Sequence, residues 1–358
     1  METKRLDYLD MLKGIGIFFV CLGHMEDISS VTRIWISSFH MPLFFICSGL
    51  LMAVKNEHEQ NYSDFVRKKA RGIIIPYLWF SLSYFIIDIA NLYIIQNIDK
   101  KTFIVDTISS ATFYGMSVLW FLPALFLASI GFIYIKKKVP DKINLILLII
   151  IAIVAYIVKL QVAKVYAQYE DSLLITSIIN IFYIILRAAI SMSFIGYAFY
   201  IRKAYERLCQ NNNHPALQNK YVCIAIGIIM IGAGFAVSMK NGCVDLHNII
   251  LNNFVLYYLG AFLGVYGILL ICKSIPSSRI ITYYGKNSII VMACHVNYYI
   301  LYAGIKFAWL IQPFITRAKH YIFVATVVIT VFVLSIIVIE GINRFFPFVL
   351  GKKMKKGA

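Results

Sequence analysis

The sequence predicts an all-α, polytopic membrane protein of about ten transmembrane helices with both termini in the cytoplasm. Composition is the first reason. Hydrophobic residues make up 60% of the 358 and charged residues only 14%, whereas charged residues come to about a quarter of an ordinary soluble domain. Mean hydropathy is +0.77. The second reason is that apolar runs of about 20 residues, the length that crosses a bilayer as a helix, recur along the whole chain. The third is that the basic residues between those runs alternate between dense and sparse.

The runs fall near 8–27, 37–54, 72–95, 115–135, 143–158, 173–200, 221–238, 248–272, 286–308 and 321–343. The fifth is short and the sixth long, which predicts tilt or a re-entrant piece there. Placing both termini on one side puts 24 of the 34 Lys and Arg on that side and nine on the other, with Arg187 inside a span. By the positive-inside rule the richer side is cytoplasmic. The clusters "FVRKKARG" and "YIKKKVPDK" are accordingly inside-rule charge, with a role toward an anionic cytoplasmic ligand as the second reading. The formal charge of +17 is explained by this topology and not by nucleic acid.

The connections are short, so residues 1–358 are expected to form one integral-membrane domain. No cleavable signal peptide is expected ahead of the first run. "CQNNNHPALQN" reads as an exposed polar loop. No internal repeat is visible, which lowers support for repeat-built transporters. The seven cysteines are scattered without metal-ligand spacing and read as small buried hydrophobes.

Ionisable groups inside the membrane are costly and so mark function. The first run, "LKGIGIFFVCLGHMEDISS", carries Lys13 at one end and His24 at the other. Eleven residues of helix advance roughly 16 Å and bring His24 back to within about 20° of the azimuth of Lys13, so one stripe holds both at different depths. His40 lies in the outer half of span two, Arg187 at mid-depth in span six and His295 near the middle of span nine. Glu26, Asp27, Glu170 and Asp171 are placed at the outer rim, and Asn248, Asn252 and Asn253 in "LHNIILNNF" are candidates to line a polar vestibule.

Each has a plainer reading. His24 can simply end a helix, His40 and His295 can be core histidines bonded between helices, and Lys13 can snorkel to the inner headgroups. Arg187 resists such a reading, because its charge cannot be shed and needs an anion or carbonyls. The chemistry these groups suit is acyl transfer. A neutral imidazole can take the proton of a hydroxyl at physiological pH. A cation at the other depth can hold the phosphate of a carrier. No metal is needed, and three histidines on three helices without a carboxylate set do not read as a zinc site. G-x-S-x-G, Walker A and dinucleotide motifs are missing, so serine-triad hydrolysis and ATP-driven pumping lose support.

The residues resemble a known family. "KGIGIFFVCLGH", a basic residue eleven before a histidine, is similar to the signature of the integral-membrane acyltransferase family 3. That family O-acylates bacterial cell-surface sugars and includes the fucose 4-O-acetylase-like proteins. "FHMPLFFICSGLL", "RKKARGIIIPY", "LWFLPALF", "GKNSIIVMACH" and "INRFFPFVLGK" follow in the family's order, so the resemblance covers essentially the whole chain.

The resemblance implies a bacterial cytoplasmic-membrane enzyme with no permanently bound cofactor. Its donor would be acyl-CoA, commonly acetyl-CoA, and its acceptor a hydroxyl of a surface polysaccharide or lipid-linked glycan, with other components of glycan synthesis as possible partners. It implies essential roles for His24 and Lys13, where many members have arginine at the second position. Arg71, and less surely Lys68, correspond to the arginine-bearing stretch ahead of "IPY". Arg187 joins them as a candidate for the donor, and His40, His295, Asn252 and Asn253 are candidates for the substrate. No SGNH-type esterase domain of the kind some larger members carry is visible. The rival function is a membrane exporter of a glycan or its precursor, which would leave the Lys13 and His24 alignment incidental. A scaffold subunit of a synthesis complex has no feature in its favour.

Overall fold

The computed structural model describes residues 6–169, 173–210, 219–314 and 319–352, with the backbone alone at 165–169, 173–174, 176, 207–210 and 314. Glu170, Asp171 and the middle of "CQNNNHPALQN" lie outside the described residues. The protein is all-α, and no strand occurs among the described residues. In chain order the helices are α1 (Asp7–Gly23), α2 (Ser30–Val54), α3 (Tyr62–Lys69), α4 (Ile75–Ala90), α5 (Lys100–Ala111), α6 (Phe121–Lys138) and α7 (Asp141–Tyr169). They continue with α8 (Leu173–Gln210), α9 (Lys220–Asn241), α10 (Phe254–Ser274), α11 (Arg279–Lys286), α12 (Ser288–Cys294), α13 (Ile300–Ile311) and α14 (Lys319–Phe345).

Among the described residues, eight helical stretches are long and apolar enough to cross a membrane, and they coincide with eight of the ten expected runs. The other two differ in form. The first run is the 17-residue helix α1. The ninth is not one helix: α12 stops at Cys294, Tyr299 takes the left-handed conformation at φ 59°, and α13 starts afresh at Ile300. The local cause is polar. The His295 ring bonds to the carbonyls of Val291 and Met292, and the Leu301 N–H turns back to the His295 carbonyl at 2.8 Å. Aromatic and amide side chains follow, which are mediocre helix formers. Irregular backbone at membrane depth persists only where such groups satisfy it.

Two further stretches read as loop are helical. Residues 62–69 form α3 because Phe65 buries one face while Arg67, Lys68 and Lys69 occupy the last turn. Residues 100–111 form α5, capped by the Asp99 carboxylate accepting from the Thr102 N–H at 2.7 Å. Hydropathy misses both, since each has a polar face. One turn of π-helix, Ala70–Ile74, joins α3 to α4 and carries Arg71.

The helices fall into two compact units. The first comprises Met1–Cys47, Tyr205–Asp245 and Leu251–Phe345. Here α1 lies backbone to backbone on α11, because Gly285 offers no Cβ to strike the carbonyl of Asp10. A buried hydrogen bond of 2.9 Å from Ser238 to Ser38 ties α9 to α2. The second unit comprises Ser48–Ala204, Leu246–Ile250 and Phe346–Ala358. Tyr77 donates to the Ser110 carbonyl at 2.6 Å and Tyr197 to the Leu145 carbonyl at 2.7 Å, so tyrosines link α4 to α5 and α8 to α7.

Five of the cysteines, Cys21, Cys47, Cys223, Cys272 and Cys294, are buried as expected, whereas Cys243 is exposed in the turn after α9. Cys209 lies among the residues described by backbone alone.

Candidate active site

His24 sits where α1 ends. Its own backbone is still near-helical (φ −84°, ψ −5°), and its N–H bonds to the Val20 carbonyl at 3.2 Å. The chain then turns sharply into α2, with the Ser29 hydroxyl accepting from the Thr32 N–H at 3.1 Å. A terminating helix leaves carbonyls without partners. Arg33 fills that need, donating to the carbonyls of Gly23, Met25 and Glu26 at 3.3, 2.8 and 3.1 Å. The guanidinium therefore fixes the turn that presents His24, an exposed residue at the end of its helix.

The ring of His295 meets that of His24 edge to face, with centroids 5.0 Å apart and planes at 64°. His295 is fully buried. Its Nδ1 lies 3.0 Å from the Val291 carbonyl and 2.8 Å from that of Met292. Carbonyls carry no proton, so Nδ1 must be the donor. His40, on α2, is held the same way, with Nδ1 2.8 Å from the Ile36 carbonyl. His24 and Asp245 both act electrostatically on His40, and Asp245 acts on His24 as well. The fold thus brings His24 and His295 together from two separate spans, with His40 within electrostatic reach of His24. Among the described residues no group of three or more His, Cys, Asp or Glu is arranged to hold a metal ion.

Lys13 lies three turns below His24 on the same helix and is partly exposed. Its Nζ is 2.6 Å from the carboxylate of Asp10, one turn earlier. Asp10 is buried, and its carbonyl is the atom against which Gly285 packs. The ammonium is therefore held at a defined place while two of its three donors can face elsewhere. Asn252 and Asn253 shape the connection from α9 to α10. Asn252 donates to the carbonyls of Asn241 and Cys243 at 2.9 and 2.8 Å, and Asn253 caps α10 by accepting from the Leu256 N–H at 3.0 Å.

The remaining candidates belong to the second unit. Arg71 is exposed on its π-turn, and the C-terminal segment packs onto its carbonyl through Gly351, which has φ 66°. Phe348 of that segment meets the Trp79 ring at 5.1 Å. "RKKARGIIIPY" and "FPFVLGK" are thus adjacent in space. Next to Arg71, Ala70 and Ile74 line a cavity of about 440 Å³ with Phe113, Pro123, Leu127 and Ile184, a lining that suits hydrocarbon rather than phosphate.

Lys68 and Lys69 bracket the buried carboxylate of Glu57 at 2.8 and 3.1 Å. Burial alone would raise the Glu57 carboxyl, but the two ammonium groups outweigh it and hold the group below the usual carboxylate range.

Arg187 is wholly buried. Its Nε donates to the His247 carbonyl at 2.6 Å and its NH1 to the Tyr114 carbonyl at 3.0 Å. The guanidinium carbon lies 4.1 Å from the centroid of the Tyr114 ring and 5.4 Å from that of Trp120. It points into the bundle and meets carbonyls and aromatic faces.

Sequence reasoning missed three residues of the histidine site. Asp10 was signalled by its D-x-x-K spacing to Lys13, an i,i+3 pair on a helix. Arg33 reads only as outside charge, since its partners are backbone carbonyls of the preceding turn and leave no mark in side-chain identity. Asp245 carries no local signal because the histidines it acts on are far along the chain.

No curated protein and no solved structure matches the chain. A family model described as an acyltransferase domain does match it, over residues 6–340. Coverage of that extent, on a membrane-spanning all-α chain, places this protein in acyltransferase family 3.

Proposed function

We propose that this membrane acyltransferase uses acyl-CoA, with acetyl-CoA as the default donor, to O-acylate a hydroxyl of a bacterial cell-surface or lipid-linked glycan at the cytoplasmic membrane. The observation that carries the reading is the pairing of His24 with His295 at the exposed end of the helix that also bears Lys13. A base, a neighbour that constrains it and a cation roughly 16 Å away along one stripe suit a carrier whose phosphates and thioester are far apart.

In the step proposed, a bare nitrogen of His24 takes the proton as the acceptor oxygen bonds to the thioester carbonyl carbon. The tetrahedral intermediate collapses with cleavage of the carbon–sulfur bond. The proton on His24 leaves with the CoA thiolate as CoA-SH, and the glycan ester remains. Lys13 positions the donor from below. His40, Asn252 and Asn253 are assigned to the acceptor side.

The test is incubation of the purified protein with isotopically labelled acetyl-CoA and the host's glycan fraction, followed by mass analysis. Labelled glycan from the native protein and none from His24→Ala supports the reading. Equal labelling by a stably folded His24→Ala protein removes His24 as the base, and no labelled glycan from the native protein removes the acetyl transfer.

A further inference from the structure

We infer that His295 is a positioning residue for the base: its Nε2 accepts the N–H of His24 and so leaves the other His24 nitrogen bare toward the acceptor hydroxyl. The inference rests on His24 acting as the base, and it goes beyond a general contact with substrate.

The tautomer of His295 is dictated by its surroundings. Two helix carbonyls, those of Val291 and Met292, face Nδ1 and can only accept, so the proton is on Nδ1. In the neutral ring Nε2 then carries a lone pair. That atom is buried and has no hydrogen-bond partner among the described residues. A buried acceptor left bare is costly, commonly about 1–3 kcal/mol, and its presence asks for a donor.

His24 is beside it. The centroids stand 5.0 Å apart, and an imidazole nitrogen lies about 1.1 Å from its ring centroid, so an N–H···N bond of roughly 2.9 Å between two imidazoles also spans about 5 Å. The rings stand at a separation that allows such a bond; their edge-to-face setting does not itself make it, and the bond inferred forms when His24, at the end of its helix, turns an N–H toward Nε2. The break between α12 and α13 belongs to the same device, since the carbonyls that lock the ring are those of the last turn of α12. Function follows from the constraint. A base oriented by a third group presents one tautomer instead of two, and the imidazolium formed during transfer keeps a lone pair facing its N–H.

The test compares His295→Phe, which keeps a flat ring and loses the lone pair, with His295→Gln, whose Oε1 stands near the place of Nε2. Each is assayed with labelled acetyl-CoA and glycan at matched thermal stability. His295→Phe should lower kcat by about 10²-fold with KM for acetyl-CoA changed by less than about twofold, and His295→Gln should recover about tenfold of that loss. Full kcat in His295→Phe, or no recovery in folded His295→Gln, overturns the assignment. A second measurement needs no variant: the ¹⁵N spectrum of histidine-labelled native protein should show His295 with a proton on Nδ1, and a proton on Nε2 alone overturns it. The His24→Ala control keeps the two readings apart. An active His24→Ala protein removes the base itself, whereas an inactive one beside a fully active His295→Phe removes only the positioning role.

Discussion

The two units hold their intramembrane polar groups in opposite ways. In the second, Arg187 is wholly buried: its Nε and NH1 donate to backbone carbonyls, and aromatic rings lie over the guanidinium. In the first, the histidines are fixed on one side only. His295 and His40 each give Nδ1 to their own helix and turn Nε2 away from it, while His24 stands exposed. The contrast teaches that an ionisable residue within a span is not by itself a reactive site. What decides is whether the group can take up and release a proton, which an imidazole can and a guanidinium cannot, and whether it is reachable.

The comparison breaks first at His24. His24→Ala should cost about 10²-fold or more in transfer while the protein remains folded in the membrane, measured by labelled glycan and by the level of folded enzyme. Arg187→Met should do the reverse. It strands the carbonyls of His247 and Tyr114 and is expected to cost about 3 kcal/mol of stability, read as a lowered unfolding temperature in detergent. An unchanged unfolding temperature would show that Arg187 is not the tie described.

Lys13 sharpens the picture within the first unit. Removing one charge-assisted contact to a phosphate should raise KM for acetyl-CoA about tenfold in Lys13→Ala, with kcat less affected, and Lys13→Arg should stay near the native value. Equal KM values for native and Lys13→Ala protein would detach Lys13 from the donor.

In the second unit the corresponding probe is Glu57. Glu57→Gln leaves Lys69 beside a neutral amide and should cost about 2 kcal/mol, less than a fully buried pair because Lys68 is half exposed and screened. The pH dependence has a definite sign. The folded-state carboxyl is held low, so its contribution is present above the unfolded value near pH 4.3 and fades as pH falls through the folded value. Glu57→Gln should therefore flatten the acid limb of a stability profile taken across that range, and an identical limb would discount the ion pairs.

The spans were legible because hydropathy averages over many residues and a bilayer demands a fixed length. Lys13 and His24 were legible because they lie on one unbroken helix, where spacing is geometry. The meeting of His24 with His295 was not. They are separated by most of the chain, and His295 was read at the middle of a continuous span that in fact breaks beside it. Nor could the sequence distinguish the engaged Arg187 from a free cation, since its carbonyl partners belong to the backbone and leave no mark in side-chain identity.

The sequence by itself determined an all-α membrane chain, its family likeness and the Lys13–His24 stripe, because burial in lipid and helical periodicity act locally and sum along the chain. Tertiary structure alone decided that His295 faces His24 and that Ser238 of α9 reaches Ser38 of α2. Those contacts depend on helices distant in sequence packing at defined rotations, and a hydrogen bond of about 3 Å is lost when a helix turns by a fraction of one residue.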